Sequence, residues 1–132
     1  MEINERRGLL TTSFNPDETL DYLTNIKGTL LNLDNVESTL LNIRYVPDRL
    51  IIKPKSFSNY LTALSDQTWE NLEELATTVI SDLSNQLIAR WICVKATVAE
   101  GSYPGLGTHE VLIEDRQPEW NNPSLLLRCK TF

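Results

Sequence analysis

The segment of residues 68–87 constrains the fold most strongly, because its apolar residues recur at helical spacing. They lie three or four positions apart on one stripe, which consists of Leu72, Leu75, Ala76, Val79, Leu83 and Leu87. Thr68 suits the N-cap position, and Glu70 falls in the first turn, where the positive end of the helix dipole favours a carboxylate. The pattern predicts an amphipathic helix whose apolar face must pack on another apolar surface.

Alternating apolar residues on both sides of this helix predict β-strands. Residues 90–100 place four apolar side chains at every second position, which indicates a strand with one buried face. A turn rich in Gly and Pro follows, and residues 109–113 resume the strand pattern. Residues 91–115 are therefore predicted to form an antiparallel hairpin.

The same alternation in residues 20–30 and 38–46 predicts a first hairpin, joined by turn-forming residues at 32–35. Gly28 interrupts the parity of its first strand and indicates a β-bulge. A helix over residues 29–41, which their leucine clusters favour, is the alternative.

Two shorter elements are predicted between the first hairpin and the long helix. Residues 50–52 are apolar and extended, and Pro54 ends any ladder there because it has no N–H to donate. Ser56 is predicted to cap a short helix with an apolar stripe of Phe57, Tyr60, Leu61 and Leu64. The order is therefore β-β-α-α-β-β, an α+β fold with two helices on one face of a four-stranded antiparallel sheet. The two edge strands of this sheet present unpaired backbone N–H and C=O groups, which predicts that they pair with other chains.

The 132 residues are enough for one domain with one core. We assign residues 14–117 to this domain, residues 1–13 to a tail or subunit-contacting arm, and residues 118–132 to an extension packing on the core or on a neighbouring subunit. The net charge of −6 argues against a nucleic-acid or anionic-membrane surface. No apolar run approaches the ~20 residues of a membrane span.

Cys93 and Cys129 lack CxxC spacing and accompanying histidines, so neither a disulfide framework nor a metal site is indicated. These features predict a cytoplasmic protein. Cys93 could act as a nucleophile beside Lys95, although a cysteine in mid-strand is more commonly a small core residue.

Two further groups of polar residues could carry chemistry. His109 lies next to Glu110, a pairing suited to proton transfer if both side chains reach one pocket; the alternative is a solvated histidine at a strand end. Glu70, Glu73 and Glu74 lie at a helix start, where a carboxylate could accept two ring N–H groups of a purine or pterin. The alternative is a solvated acidic helix start.

Several motifs resemble the tunnelling-fold (T-fold) family. They are YVPDRL, KPKSFSNYL, Asp82-Leu83 near the end of the long helix, and Arg90-Trp91 at a strand start. Within that family the chain is most similar to the QueF-like nitrile reductases of queuosine biosynthesis, which reduce 7-cyano-7-deazaguanine (preQ0) with NADPH. The resemblance spans residues 14–117 and implies β-β-α-α-β-β units that pair edge to edge into oligomeric barrels, with ligand pockets between subunits.

The resemblance also implies roles for individual residues. The cysteine that forms a thioimide with the nitrile falls at Leu30, and the acid that serves proton transfer falls at Glu37. In the motif at residues 53–60, Glu is replaced by Lys53 and a second Lys by Ser58. The residues of this motif that match the family are Lys55, Ser56 and Tyr60.

The base-binding His-Glu pair of the family falls at Asn71 and Leu72, or leaves Glu73 as the acid if one residue is inserted. The family's Arg-Gly-Gly turn is replaced at residues 102–105. Without the thiol, thioimide chemistry is not expected.

The resulting hypothesis is a divergent QueF-like protein that binds a purine-like, deazapurine or pterin-like ligand at subunit interfaces. Its candidate ligand-binding residues are Glu70, Glu73, Lys55, Ser56 and Tyr60, and its candidate catalytic residues are Glu37 and His109. NADPH is implied by the resemblance alone. Two alternatives stay open: a non-catalytic partner subunit or pseudoenzyme paired with a Cys-bearing homologue, and an enzyme of deazapurine metabolism that uses non-covalent chemistry. A homo-oligomer is the expected assembly.

Overall fold

The chain folds into an antiparallel sheet with two helices on one face, in a computed structural model that describes residues 1–30, 39–98 and 103–128. In chain order the elements are α1 (Ile3–Gly8), β1 (Thr12–Phe14), β2 (Thr24–Leu30), β3 (Thr39–Val46), β4 (Leu50–Ile52), α2 (Pro54–Ser65), α3 (Leu72–Leu87), β5 (Trp91–Val98), β6 (His109–Arg116) and α4 (Pro123–Arg128).

The main sheet has the strand order β2-β3-β5-β6, and all of its neighbouring strands are antiparallel. The helices α2 and α3 lie in the chain between β3 and β5. The predicted α+β class and β-β-α-α-β-β order are therefore confirmed. The first and last strands, β2 and β6, form the two edges of the sheet as described.

The core lies between the helices and one face of the sheet. Successive strand residues point to opposite faces, so only alternate residues of β3 and β5 reach this core. They are Leu41, Ile43, Tyr45, Ile92, Val94, Ala96 and Val98, and they share one buried cluster with the predicted apolar stripe of α3. Burying a Val, Leu or Ile side chain of this cluster stabilises the fold by about 1.5–3 kcal/mol, which is why the stripe determines how α3 docks.

Both long helices begin at other residues than predicted. The N-cap of α3 is Asn71 rather than Thr68, because the Asn71 side chain accepts a hydrogen bond of 2.7 Å from the Glu74 N–H. The α2 helix begins at Pro54, whose fixed φ suits the first helical position, so Ser56 lies inside the first turn and is not the cap.

Gly28 does not mark a bulge, because β2 and β3 pair continuously through it, with Gly28 opposite Leu41. Its lack of a side chain admits α2 instead: a Cβ atom at this position would overlap the Leu61 side chain. The described parts of the first hairpin are strands, and the predicted turn at residues 32–35 lies outside the described residues.

The terminal segments add structure on both sides of the main sheet. The β1 strand pairs with β4 in a small second sheet, which periodicity did not predict because each strand has three residues. On the sheet face opposite the helices, Trp120 and the α4 residues Leu125 and Leu126 pack against the β3 and β5 residues Val46, Trp91 and Cys93. No helix in the described part of the chain is long and apolar enough to cross a bilayer.

Candidate ligand-binding site

Two of the residues selected from the sequence meet where α3 starts. The Nε2 atom of His109 lies 3.1 Å from the Oε1 atom of Glu73. Glu73 occupies the first turn of α3, and His109 is the first residue of β6, 36 positions later in the chain. The side chains are 41% and 57% exposed respectively, so the pair is open to a ligand from solvent.

The other acids of this helix start have structural contacts. Glu74 donates its N–H to the Asn71 side chain, and its carboxylate turns back to accept a hydrogen bond of 3.0 Å from the Glu70 N–H. This reciprocal arrangement resembles a capping box. The Glu74 carboxylate is therefore engaged in a hydrogen bond at the N-terminus of α3, whereas the Glu73 side chain projects toward β6. Glu70 is exposed one residue before the cap.

His109 does not share a pocket with Glu110, so that interpretation of the sequence is wrong. The two are consecutive residues of one strand, and consecutive side chains point to opposite faces of a sheet. Glu110 forms an ion pair with Lys95 at 3.6 Å on the face away from the helices. The acid that contacts the imidazole is Glu73, from a different element.

The family-matching residues of α2 lie in different surroundings. Lys55 is exposed in the first turn. Ser56 is buried, and its hydroxyl accepts a hydrogen bond of 3.0 Å from the Thr11 N–H and lies 2.7 Å from the Lys53 carbonyl oxygen. Tyr60 has no exposed surface, and its hydroxyl donates a hydrogen bond of 2.6 Å to Asp82. The hydrogen bonds of Ser56 and Tyr60 therefore tie α2 to its neighbours rather than to Glu73 and His109.

Periodicity alone missed a buried ionic cluster around Asp82. The side chain of Asp82 is fully buried on α3, and it accepts hydrogen bonds from both Arg6 and Arg7 of α1, at distances between 2.5 and 3.0 Å. Burial opposes ionisation of this carboxyl, but the hydrogen bonds from Arg6, Tyr60 and Arg7 hold its pKa below the usual range. A sequence signal existed, since Asp82 lies three positions after Val79 on the apolar stripe.

A second cluster explains the motif residues around Arg90. Its guanidinium donates to the carbonyl oxygens of Leu20 and Glu18 and pairs with the carboxylates of Asp21 and Asp48. Arg90 thus joins the loop before β2 to the turn between β3 and β4. The YVPD and Arg-Trp motifs therefore contain residues that stabilise the scaffold.

Cys93, the cysteine that lies within the described residues, is not positioned to act as a nucleophile. Cys93 is 3% exposed and lies on the sheet face away from α2 and α3, whereas His109 and Glu73 lie on the helix side. Burial, with a smaller contribution from the charge of Glu114, raises the pKa of the Cys93 thiol to about 11, although the positive charges of Arg44 and Lys95 oppose the shift. A protonated, buried thiol is a poor nucleophile.

Two other residues selected from the sequence are Leu30 and Glu37. Leu30, at the position the resemblance gives to the nucleophile, is buried at the end of β2. Glu37 lies outside the described residues. Within the described ranges, no three His, Cys, Asp or Glu side chains are grouped so as to hold a metal ion.

An open groove runs beside α3 toward its C-terminal end. It has a volume of about 540 Å³ and lies between α3 and β6, with Arg7 at its border. The order of contacts, with Glu73 near His109 and Ser84 near Asp115, shows that α3 and β6 run in the same direction. The groove therefore lies on the side of β6 that carries the Glu73–His109 pair, nearer the other end of the strand.

Comparison with solved structures supports the fold, whereas comparison with known sequences identifies no family. No protein-family model matches the chain, and no curated protein matches it. Among solved structures it is similar to the crystal structure of the archaeosine synthase QueF-Like in the apo form, with a TM-score of 0.60 and 17% sequence identity. The match covers 70% of this chain and 91% of that one.

The element order, the one-sided helix layer and this structural likeness define an α+β protein with the T-fold topology. Within that class its architecture is QueF-like. At 17% identity the likeness extends to the fold alone.

Proposed function

We propose that this protein binds a purine-like, deazapurine or pterin-like ligand through Glu73, at an interface between subunits, without forming a thioimide. The observation that carries the proposal is the Glu73–His109 pair, because the structure brings together two residues chosen separately for their chemistry. A carboxylate can accept two adjacent ring N–H donors in the plane of a base. Each carboxylate oxygen has two lone pairs, so Oε1 can accept from a ring N–H as well as from His109 while Oε2 accepts from the second donor.

His109 has a positioning role in this proposal and could also transfer a proton. Its imidazole orients the Glu73 carboxylate, and an imidazole can give or take a proton when a bound ligand needs one. The pair is half exposed in the single chain. A neighbouring subunit paired at the β6 edge would cover it and exclude water, which strengthens hydrogen bonds to the ligand.

The absence of covalent chemistry is part of the same proposal. Leu30 has no nucleophilic atom, and Cys93 is buried on the opposite sheet face with a raised pKa. The NADPH phosphates do not fit the donor set around Glu73, because Glu70 and Glu74 add negative charge at this helix start. Hydride transfer from NADPH is therefore not part of the proposed function of this site.

The experiment is thermal unfolding of the full chain with guanine, a 7-deazaguanine and a pterin, each titrated to saturation. A ligand at about 100 times its Kd stabilises a protein by about 2.7 kcal/mol, which raises Tm by roughly 5–10 °C for a domain of this size. Glu73→Ala should abolish the shift and His109→Ala should reduce it. Glu119→Ala, an exposed acid outside the site, is the matched control and should keep it. No Tm shift with any of the three ligand classes would contradict the proposal.

A second candidate function is a non-catalytic partner subunit of a Cys-bearing homologue. The observation that favours it is the use of Ser56 and Tyr60 in scaffold contacts, since these are two of the three matching residues of the family motif. This function predicts that the tagged protein recovers a Cys-bearing homologue from its native host. A homo-oligomer that carries no such homologue would argue against it.

A further inference from the structure

A small hollow lies at the end of α3, beside the β1–β4 ribbon. It has a volume of about 270 Å³ and is lined by Asp48, Arg49, Leu50, Leu87 and Ile88. Three of these five residues are aliphatic, so the hollow offers a mainly apolar surface to whatever enters it. Asp48 is held at its border by Arg90 and by Gln117, whose side-chain N–H lies 2.9 Å from the carboxylate.

An exposed aromatic side chain stands next to this hollow. Phe14, the last residue of β1, is 85% exposed. It pairs directly with Leu50 of β4, and directly opposed residues of an antiparallel pair project from the same side of the ribbon. Leu50 lines the hollow, whereas the Phe14 ring projects beside it and leaves it open. Exposed aromatic residues of this kind are enriched at protein interfaces.

The lining of the hollow includes a strained residue with an exposed aliphatic side chain, Ile88. Ile88 has φ 48° and ψ 49°, a left-handed conformation that β-branched residues rarely adopt and in which helices usually place glycine. Its N–H still closes the helix on the Ser84 carbonyl oxygen at 3.0 Å. The side chain is nevertheless 64% exposed, so the strain is not compensated by burial within the chain.

We propose that this surface, the Phe14 face formed by Phe14, Leu50, Leu87 and Ile88, is a two-fold contact between two copies of the chain. In this contact Phe14 of each copy enters the hollow of the other and packs on Ile88. A two-fold interface needs a patch that is complementary to itself. The Phe14 face meets that condition, because the protruding ring and the hollow adjoin on one surface. If the hollow lay elsewhere on the molecule, insertion of Phe14 would instead join the copies head to tail into an open chain of subunits.

Charges around the Phe14 face fit the same occupant. Arg49 borders the hollow and is exposed, whereas Asp17 and Glu18 are exposed just after Phe14. A two-fold contact that inserts Phe14 carries these acids toward the partner's Arg49. This pairing offsets part of the repulsion between two chains that each carry a net charge of −6. The contact uses neither edge of the main sheet, so it is separate from the edge-to-edge assembly and from ligand binding at Glu73.

The first test compares the native mass of the full-length wild type with Phe14→Ser and Ile88→Asp, by light scattering after size exclusion. Each variant should have half the wild-type mass while keeping the wild-type circular dichroism spectrum, since both side chains are mainly exposed. Leu127→Ser is the matched control, because Leu127 is 63% exposed on α4 and does not line the hollow. Its mass should equal that of the wild type.

The second test is disulfide trapping in a Cys129→Ser background. Phe14→Cys and Ile88→Cys proteins are purified separately, mixed and oxidised, and they should form a cross-linked pair on a non-reducing gel. Phe14→Cys mixed with Leu127→Cys should not. The proposal requires both results: an unchanged mass in folded Phe14→Ser overturns it, and so does a failure of the Phe14→Cys and Ile88→Cys proteins to cross-link.

Discussion

The carboxylate of Asp82 accepts a hydrogen bond of 2.6 Å from the hydroxyl of Tyr60, and neither side chain is exposed to solvent. Two arginines of α1 complete the carboxylate's partners, with an Arg6 Nη2 to Asp82 Oδ1 distance of 2.9 Å and an Arg7 Nε to Oδ1 distance of 3.0 Å. The contact joins α2 to α3, and the arginines add the N-terminal helix. A residue expected at a ligand is therefore part of what holds three helices together.

Asp82→Ala should lower the free energy of unfolding by about 3–5 kcal/mol, because breaking a buried ion pair leaves its partners without compensation. Urea unfolding followed by circular dichroism measures the change. Asp66→Ala provides the control, since Asp66 is exposed after the end of α2, and its effect should stay within about 0.5 kcal/mol. A loss below about 1 kcal/mol for Asp82→Ala would show that the cluster contributes little to stability.

The contribution of Asp82 should disappear in acid. The pKa of Asp82 is lower in the folded state than in the unfolded state, where it is about 3.9. Ionised Asp82 therefore stabilises the folded state above pH ~3.9, and this stabilisation is lost as the pH falls through the folded-state pKa. The stability difference between wild type and Asp82→Asn should therefore be constant from pH 7 to about pH 5 and shrink below about pH 4. Urea titrations at several pH values measure it. A difference that grows on acidification would contradict this sign.

Ile88→Gly should raise the free energy of unfolding by about 1 kcal/mol, because glycine adopts the left-handed conformation without steric cost. The measurement belongs in a Phe14→Ser background, so that self-association contributes to neither protein. Ile88→Ala is the control: it removes the exposed side chain but keeps the Cβ atom, and it should gain much less. Equal gains for alanine and glycine would assign the effect to lost exposure rather than to backbone strain.

Cys93 should resist thiol reagents in the native protein. With a pKa of about 11, on the order of one thiol in a thousand is ionised at pH 8, and burial limits access further. In a Cys129→Ser background, Ellman's reagent should label almost nothing within minutes and one thiol per chain after urea is added. Native labelling at the rate of an exposed thiol would require an accessible Cys93 and would reopen its role as a nucleophile.

Much of the fold was predictable because its information is local. The apolar stripe of α3 and the alternation along β3 and β5 follow from periods of 3.6 and 2, and each can be recognised in a short window of sequence. Helix starts were less predictable. Asn71 and Thr68 are both good caps, and the choice between them depends on where the chain arrives from α2.

The candidate site was predictable in its parts but not in its assembly. Glu73 and His109 were each selectable by residue type, but their contact depends on α3 running alongside β6. The same geometry separates His109 from Glu110, because neighbours along a strand face opposite sides.

The sequence alone determined the secondary-structure order and the buried face of each main element, and its motifs carried the resemblance that implies the T-fold topology. Tertiary structure decided which polar groups meet: Arg6 with Asp82, which are 76 positions apart, and Glu73 with His109. It also placed Phe14 opposite Leu50, which lines the hollow. The physical reason is that periodic burial is encoded residue by residue, whereas a pairing of distant side chains depends on how whole elements pack and has no local signature.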